Sequence, residues 1–239
     1  MAMQLLVSVT DVHEAVEAVL GGADIIDVKN PDEGSLGARG PAVIRAVREA
    51  VPPHLPVSAA LGDLPDIPGT AALAALGAAV AGADYVKIGL ADISSAPRAA
   101  GLLKEVLHAV AAWHRTVRVV AVGFADGPRL GTIGPEGAAD AAAQAGVHGC
   151  MLDTLDKSSG RGLLQLLSLA DLHRFVDRLH RAGMEAALAG SIRAEEIPLV
   201  AKTGAGIVGV RAAACSGDRR TGRVTRERVA WLKHVIEVA

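Results

Sequence analysis

Cysteine is nearly missing from the sequence. Cys150 and Cys215 are the only two in 239 residues, with no CxxC spacing. That excludes a disulfide framework, offers no structural zinc motif and suits a reducing cytoplasm. Aromatics are equally scarce at 2%, against 51% apolar residues overall, so the core has to be built from Ala, Val, Leu and Ile. That mixture belongs to helices packed around parallel strands. Neither sign of charge dominates: 24 Lys and Arg stand against 26 Asp and Glu, a net charge of −2. Neither nucleic acid nor an anionic membrane is therefore expected as a partner. The Ala- and Gly-rich stretch 69–83 falls short of the roughly 20 apolar residues a membrane helix needs and reads as a packed helix. Asp11 and Glu14 arrive too early for a signal peptide.

What the sequence does contain is alternation. Short apolar runs at 4–9, 24–29, 55–60, 84–89, 117–123, 149–153, 185–189 and 206–211 read as strands. Helix-period segments lie between them at about 11–20, 41–50, 70–81, 97–114, 135–145, 170–182, 193–203 and 225–237. Gly22, Gly82, Gly146, Gly183 and Gly204 each stand just before an apolar run, where a helix C-cap belongs. Gly-Ala-Asp recurs at 22–24 and 82–84, marking the second and fourth strands as similarly begun. With no composition shift or linker, the pattern predicts an α/β chain folded as one (β/α)8 TIM barrel spanning residues 1–239, near the ordinary barrel size of about 250.

A barrel places its chemistry at the C-terminal ends of strands and in the loops that follow. The stretch 24–38, Asp-Ile-Ile-Asp-Val-Lys-Asn-Pro-Asp-Glu-Gly-Ser-Leu-Gly-Ala, carries charge into a strand end and then breaks into a loop. Asp27 and Lys29 are two apart, so they share a face. Buried unpaired charge is costly, so this pair marks the start of a site. Lys29, Lys87 and Lys157 come from the second, fourth and sixth strands, which would set their amines in one layer. A desolvated amine beside other cations loses basicity and becomes a nucleophile towards carbonyl carbon. The plainer alternative makes each lysine an interior cation paired with a carboxylate, Lys29 with Asp27 and Lys87 with Asp84 or Asp153. Asp27 and Asp153 can orient a lysine or relay protons. Asp63 and Asp126 follow the third and fifth strands as candidates for a supporting part, Asp63 counted with the substrate-binding residues. The eight histidines show no metal-ligand spacing, and no metal is expected.

Small residues crowd the ends of the seventh and eighth strands, a frequent phosphate corner in barrels. Gly190, Ser191, Gly209, Arg211, Ala212 and Ala213 are the candidates. Arg219 and Arg220 are read as a solvated loop. The Ala-rich helices 70–81 and 135–145 offer apolar faces, so a homo-oligomer is expected.

Five segments carry a family resemblance: 24–38, Pro-Gly-Thr at 68–70, Gly-Ala-Asp-Tyr-Val-Lys-Ile-Gly-Leu at 82–90, Ala-Leu-Ala-Gly-Ser-Ile at 187–192 and Val-Gly-Val-Arg-Ala-Ala-Ala-Cys at 208–215. The chain resembles the (5-formylfuran-3-yl)methyl phosphate synthases of methanofuran biosynthesis, from Leu5 to the last helix. The resemblance implies a barrel that condenses two molecules of glyceraldehyde 3-phosphate into 4-(hydroxymethyl)-2-furancarboxaldehyde phosphate, releasing phosphate and water, with no cofactor. It places the Schiff-base lysine at Lys29, the proton-transferring lysine at Lys87, and supporting charges at Asp27, Asp153 and Lys157. In the family pattern glycine follows the arginine of the eighth strand; here Ala212 stands there. A class I aldolase would share the imine chemistry but release a reversible aldol product, and a silent phosphosugar-binding barrel would not need lysines at strand ends.

Overall fold

The computed structural model describes residues 3–113, 116–217 and 222–239; His114, Arg219 and Arg220 lie outside them. Eight parallel strands close in chain order: β1 (Gln4–Val9), β2 (Ile25–Val28), β3 (Val57–Ala60), β4 (Tyr85–Gly89), β5 (Arg118–Phe124), β6 (Gly149–Asp153), β7 (Glu185–Leu188) and β8 (Ile207–Val210), with β8 returning to β1. Around them run α1 (Val12–Leu20), α2 (Pro41–Ala50), α3 (Pro68–Val80), α4 (Ala96–Ala111), α5 (Pro135–Ala145), α6 (Leu163–Leu166), α7 (Leu169–Arg181), α8 (Ile197–Ala201) and α9 (Arg226–Glu237). Before α9, β9 (Cys215–Ser216) and β10 (Arg223–Val224) form a short antiparallel pair. The chain is the (β/α)8 barrel that the alternation predicts.

Local chemistry explains the boundaries. β3 starts at Val57 rather than Leu55 because Pro56 has no amide for the ladder. The helix expected over 193–203 is divided into a 3-10 turn (Ala194–Glu196) and α8, whose first turn holds Pro198. The helix-ending glycines take left-handed φ of +70° to +107°. The repeated Gly-Ala-Asp has one meaning in both places. Asp24 Oδ2 accepts the Leu5 amide at 2.7 Å and a proton from Lys233, while Asp84 Oδ2 accepts the Val57 amide at 2.9 Å and a proton from Arg48. Each carboxylate caps the strand that precedes its own.

Two apolar clusters divide the core. The larger lies between strands and helices and is rich in alanine. A Cβ on Gly123 of β5 would come 2.5 Å from the Ala138 Cβ of α5, so helix and sheet touch through their smallest residues. That is how a chain with so few aromatics reaches a close-packed core. It also corrects one expectation: α5 turns Ala138, Ala139, Ala141, Ala142 and Ala145 inward and offers no apolar outer face, whereas α3 leaves Leu73 73% exposed. The smaller cluster fills the barrel interior with Leu6, Val122, Phe124, Met151 and others, joined by Leu36 from the loop after β2. Leu36 and Phe124 come together at Gly89 of β4, where a Cβ would lie 3.0 Å from Leu36 Cδ1 and 3.4 Å from Phe124 Cζ. Among the described residues no helix is long and apolar enough to cross a membrane.

Candidate active site

A cavity of about 720 Å³ opens at the C-terminal mouth of the barrel. Of the residues singled out from sequence, Lys29, Lys87, Asp153, Lys157, Gly190, Ser191, Gly209, Arg211 and Ala212 line it. Asp27, Asp63 and Ala213 are not on its surface. Asp27 lies beneath Lys87, and Asp63 lies behind the loop formed by residues 30–37.

The lysines do not form one layer. Lys87 pairs in register with Ala60 of β3 and Val120 of β5 and reaches down to Asp27, whose Oδ2 accepts from Lys87 Nζ at 2.8 Å and from Ser8 Oγ at 2.9 Å. Lys157 is not a strand residue; it follows β6 in the loop and folds back on it. The pairing alternatives are corrected as well. Lys87 takes Asp27 rather than Asp84 or Asp153, and both side chains are almost wholly sealed from solvent.

Lys29 stands apart from these pairs. Its Nζ lies 3.9 Å from Asp153 Oδ2, outside hydrogen-bonding reach. The other oxygen of Asp153 accepts from Lys157 Nζ at 2.5 Å and from the Thr154 amide at 2.7 Å. Burial is the main force on the Lys29 amine. Together with the nearby Lys87 and Lys157 cations it outweighs the attraction of Asp153 and Asp27, and lowers the pKa to about 8. Asp153 responds oppositely. Burial pushes its carboxyl up, but Lys157 and Lys29 with the hydrogen bonds from Lys157 and Thr154 prevail and hold it below the usual range.

The small-residue corner is built by backbone. Gly190 has φ +106°, and a Cβ there would sit 3.1 Å from the Thr154 amide nitrogen. The next residue, Ser191, has φ +54°, the one non-glycine with positive φ among the described residues. Strain of this kind collects at ligand-binding turns. Arg211 lines the cavity with its guanidinium engaged from behind: it donates to the Ser8 carbonyl at 3.0 Å and to Glu14 Oε2 at 2.8 Å and Oε1 at 3.3 Å. Glu14 is fully buried, with the Thr10 amide and hydroxyl on the same carboxylate. Sequence reasoning passed over Glu14, which reads only as a first-turn acid of α1. It also passed over Ser8 and Leu36, which bond to Asp27 and Asp63, 19 and 27 residues away, and over Thr154, whose carbonyl accepts from Ser35, 119 residues away. Asp126 holds the Lys157 loop, its two oxygens accepting the Leu155 and Asp156 amides at 2.8 Å each. Among the described residues no group of three or more His, Cys, Asp or Glu is arranged to hold a metal ion.

A closed barrel with its buried amine, shared carboxylate and strained turns gathered at the C-terminal mouth defines the molecule's class, a (β/α)8-barrel enzyme. Its solved likenesses share the architecture: phosphoribosyl anthranilate isomerase from Thermus thermophilus superposes with a TM-score of 0.65 at 18% identity over 99% of each chain. A 3-hexulose-6-phosphate synthase gives 0.64 at 22%, covering 98% of this chain and 99% of that one. The family is narrower than the fold. The model described as 4-HFC-P synthase matches residues 5–233, and the chain belongs to that family. Its relatives include the (5-formylfuran-3-yl)methyl phosphate synthases of Methanocaldococcus jannaschii, 50% identical over 98% of this chain and 99% of that protein, and of Methanothermobacter thermautotrophicus, 45% identical with the same coverage.

Proposed function

We propose that this enzyme condenses two molecules of glyceraldehyde 3-phosphate into (5-formylfuran-3-yl)methyl phosphate, releasing one inorganic phosphate and two waters, by way of an imine at Lys29. The observation that carries this reading is the state of Lys29: a cavity-facing amine with a pKa of about 8, attracted by Asp153 but not hydrogen-bonded to it. A fair fraction of such an amine is uncharged near neutral pH, and it is free to attack a carbonyl. The resulting carbinolamine loses water to give the imine, whose protonated nitrogen draws electrons from the adjacent carbon and makes its proton acidic. Lys87, on the cavity floor against Asp27, takes that proton as an amine and returns one as an ammonium. The enamine attacks the aldehyde carbon of the second triose. Elimination of phosphate, ring closure, loss of water and release from Lys29 complete the balance, and aromatisation makes the sequence irreversible. Asp153 and Lys157 face the reacting carbons as a charge-sharing pair, and the turns at 190–192 and 209–212 receive a phosphate through backbone amides.

The test is borohydride reduction in the presence of glyceraldehyde 3-phosphate, followed by peptide mass mapping. An adduct on the peptide containing Lys29 is expected. An adduct confined to Lys87 or Lys157, or none, would sink the assignment. Growth of a near-ultraviolet furan absorbance in a parallel mixture without borohydride separates this reaction from a reversible aldol cleavage.

A further inference from the structure

We propose that Asp63 is a positioning residue whose carboxylate latches the loop of residues 30–37 onto the barrel mouth, fixing the wall of the cavity beside Lys29. This goes beyond the proposed reaction and rests on it only in taking the cavity as the substrate site. The loop begins directly after Lys29, and its ends are tied by the Asn30 amide donating to the Gly37 carbonyl at 2.7 Å. Pro31, Asp32, Gly34 and Ser35 face the cavity, so where the loop sits sets the shape of the space a second substrate must enter. Two fasteners hold it. On the β6 side, Ser35 Oγ donates to the Thr154 carbonyl at 2.9 Å, next to Asp153. On the β3 side, Asp63 Oδ2 accepts the Leu36 amide at 3.2 Å, and Ser35 also donates its amide to this carboxylate.

The molecule is shaped around that second fastener. A Cβ on Gly34 would come 2.4 Å from Asp63 Oδ2, and a Cβ on Gly89 would come 2.9 Å from Asp63 Oδ1 and 3.0 Å from Leu36 Cδ1. Two glycines, one in the loop and one at the end of β4, thus leave the carboxylate and Leu36 room to meet. Leu36 itself is fully buried among the interior residues. Asp63 Oδ1 is buried and has no hydrogen-bond partner among the described residues, so the side chain is not there to complete a structural ion pair. Burial, with Asp153 nearby, raises the carboxyl's pKa against the opposing pull of the Leu36 and Ser35 amides and Lys29.

The experiment compares Asp63→Asn, which keeps an oxygen acceptor for the amides, with Asp63→Ala, which does not. Circular dichroism checks folding, and hydrogen exchange reads the Leu36 amide. Asp63→Ala should lose protection at Leu36 and at least tenfold in kcat/KM, chiefly through a raised KM; Asp63→Asn should recover most of both. Wild-type protection and wild-type kcat/KM in Asp63→Ala overturn the proposal. So does an Asp63→Asn variant that keeps Leu36 protected yet is as inactive as the alanine, because the charge and not the latch would then matter. Should Asp63→Ala fail to fold, Gly89→Ala, whose added methyl presses on both Asp63 and Leu36, must show the same lost protection and raised KM, and an unchanged Leu36 amide there overturns the latch. The exchange measurement needs no turnover, so a missing borohydride adduct in the wild type would count against the condensation reading and not against this one.

Discussion

The carboxylate of Asp153 stands 3.9 Å from the amine of Lys29, close enough to attract it and too far to hydrogen-bond it, while its other oxygen is engaged by Lys157 at 2.5 Å. One buried acid thus serves two lysines unequally. Lys157 donates a hydrogen bond to it, and Lys29 is drawn by charge alone.

The first prediction follows from the sign of that interaction. In the proposed imine mechanism Lys29 must be uncharged to attack, so kcat/KM should climb as pH rises towards about 8, the value set mainly by burial. Asp153 raises the pKa of Lys29, whereas Lys157 lowers it. In Asp153→Asn the attraction disappears and so does the negative charge beside Lys157. Both changes act in one direction, and the acidic limb of whatever activity remains should move to lower pH. A pH–rate profile whose acidic limb moves upward would contradict this account of the site.

The second concerns stability. Unfolding returns Lys29 from about 8 to its ordinary 10.5, so between those values the unfolded chain binds more protons and stability rises with pH. Below pH 8 the whole cost is present, at most about 3 kcal/mol at 1.36 kcal/mol per unit. Lys29→Met, similar in volume and without charge, should therefore be inactive yet more stable at pH 7, with most of the gain gone by pH 10. Urea unfolding at the two pH values measures it. A variant less stable than wild type at pH 7 would mean that the amine is not the strained group described.

The third prediction distinguishes Lys87 from Lys29. Lys87 and Asp27 are sealed together in the barrel interior, and removing one member of such a pair strands the other. Asp27→Ala should lose about 3–5 kcal/mol. The double variant Asp27→Ala, Lys87→Met should be more stable than Asp27→Ala alone, giving a coupling energy well above the few tenths typical of exposed pairs. Additive losses in denaturant titrations would refute a coupled buried pair.

How far the sequence discloses the site depends on the range of its contacts. The strand-two face carrying Asp27 and Lys29 follows from period two alone, and Asp153 from its place at the end of an apolar run. The partners do not follow. Asp27 and Lys87 are 60 residues apart and meet only because β2 and β4 both point inward across the short β3. Layer height was misjudged for a related reason: the barrel's stagger sets Lys87 deeper than Lys29, and Lys157 rides on a loop whose shape depends on Asp126. Asp63 carries an ordinary turn signal; its use of the Leu36 amide appears only when the loop after β2 is seated. The helices, by contrast, announce themselves, because caps and prolines act within four residues.

Glu14 is the part of the site that no local signal marks, and it gives the last prediction. Its carboxylate is fully buried, holds Arg211 through both oxygens, and also binds the Thr10 amide and hydroxyl. Burial pushes its pKa up, and the Arg211 guanidinium and the Thr10 hydrogen bonds overcome that and leave it lowered. Glu14→Gln keeps the shape but removes the charge that fixes Arg211 against the Ser8 carbonyl. The guanidinium, freed on the cavity side of β8, should then disturb the corner proposed to receive a phosphate. We expect a stability loss of about 1–3 kcal/mol and a raised KM for glyceraldehyde 3-phosphate, with kcat less affected, because Lys29 and Lys87 lie on other strands. Steady-state kinetics on the folded variant decide it: a fall in kcat at unchanged KM would place Arg211 in the chemical step rather than in holding the substrate.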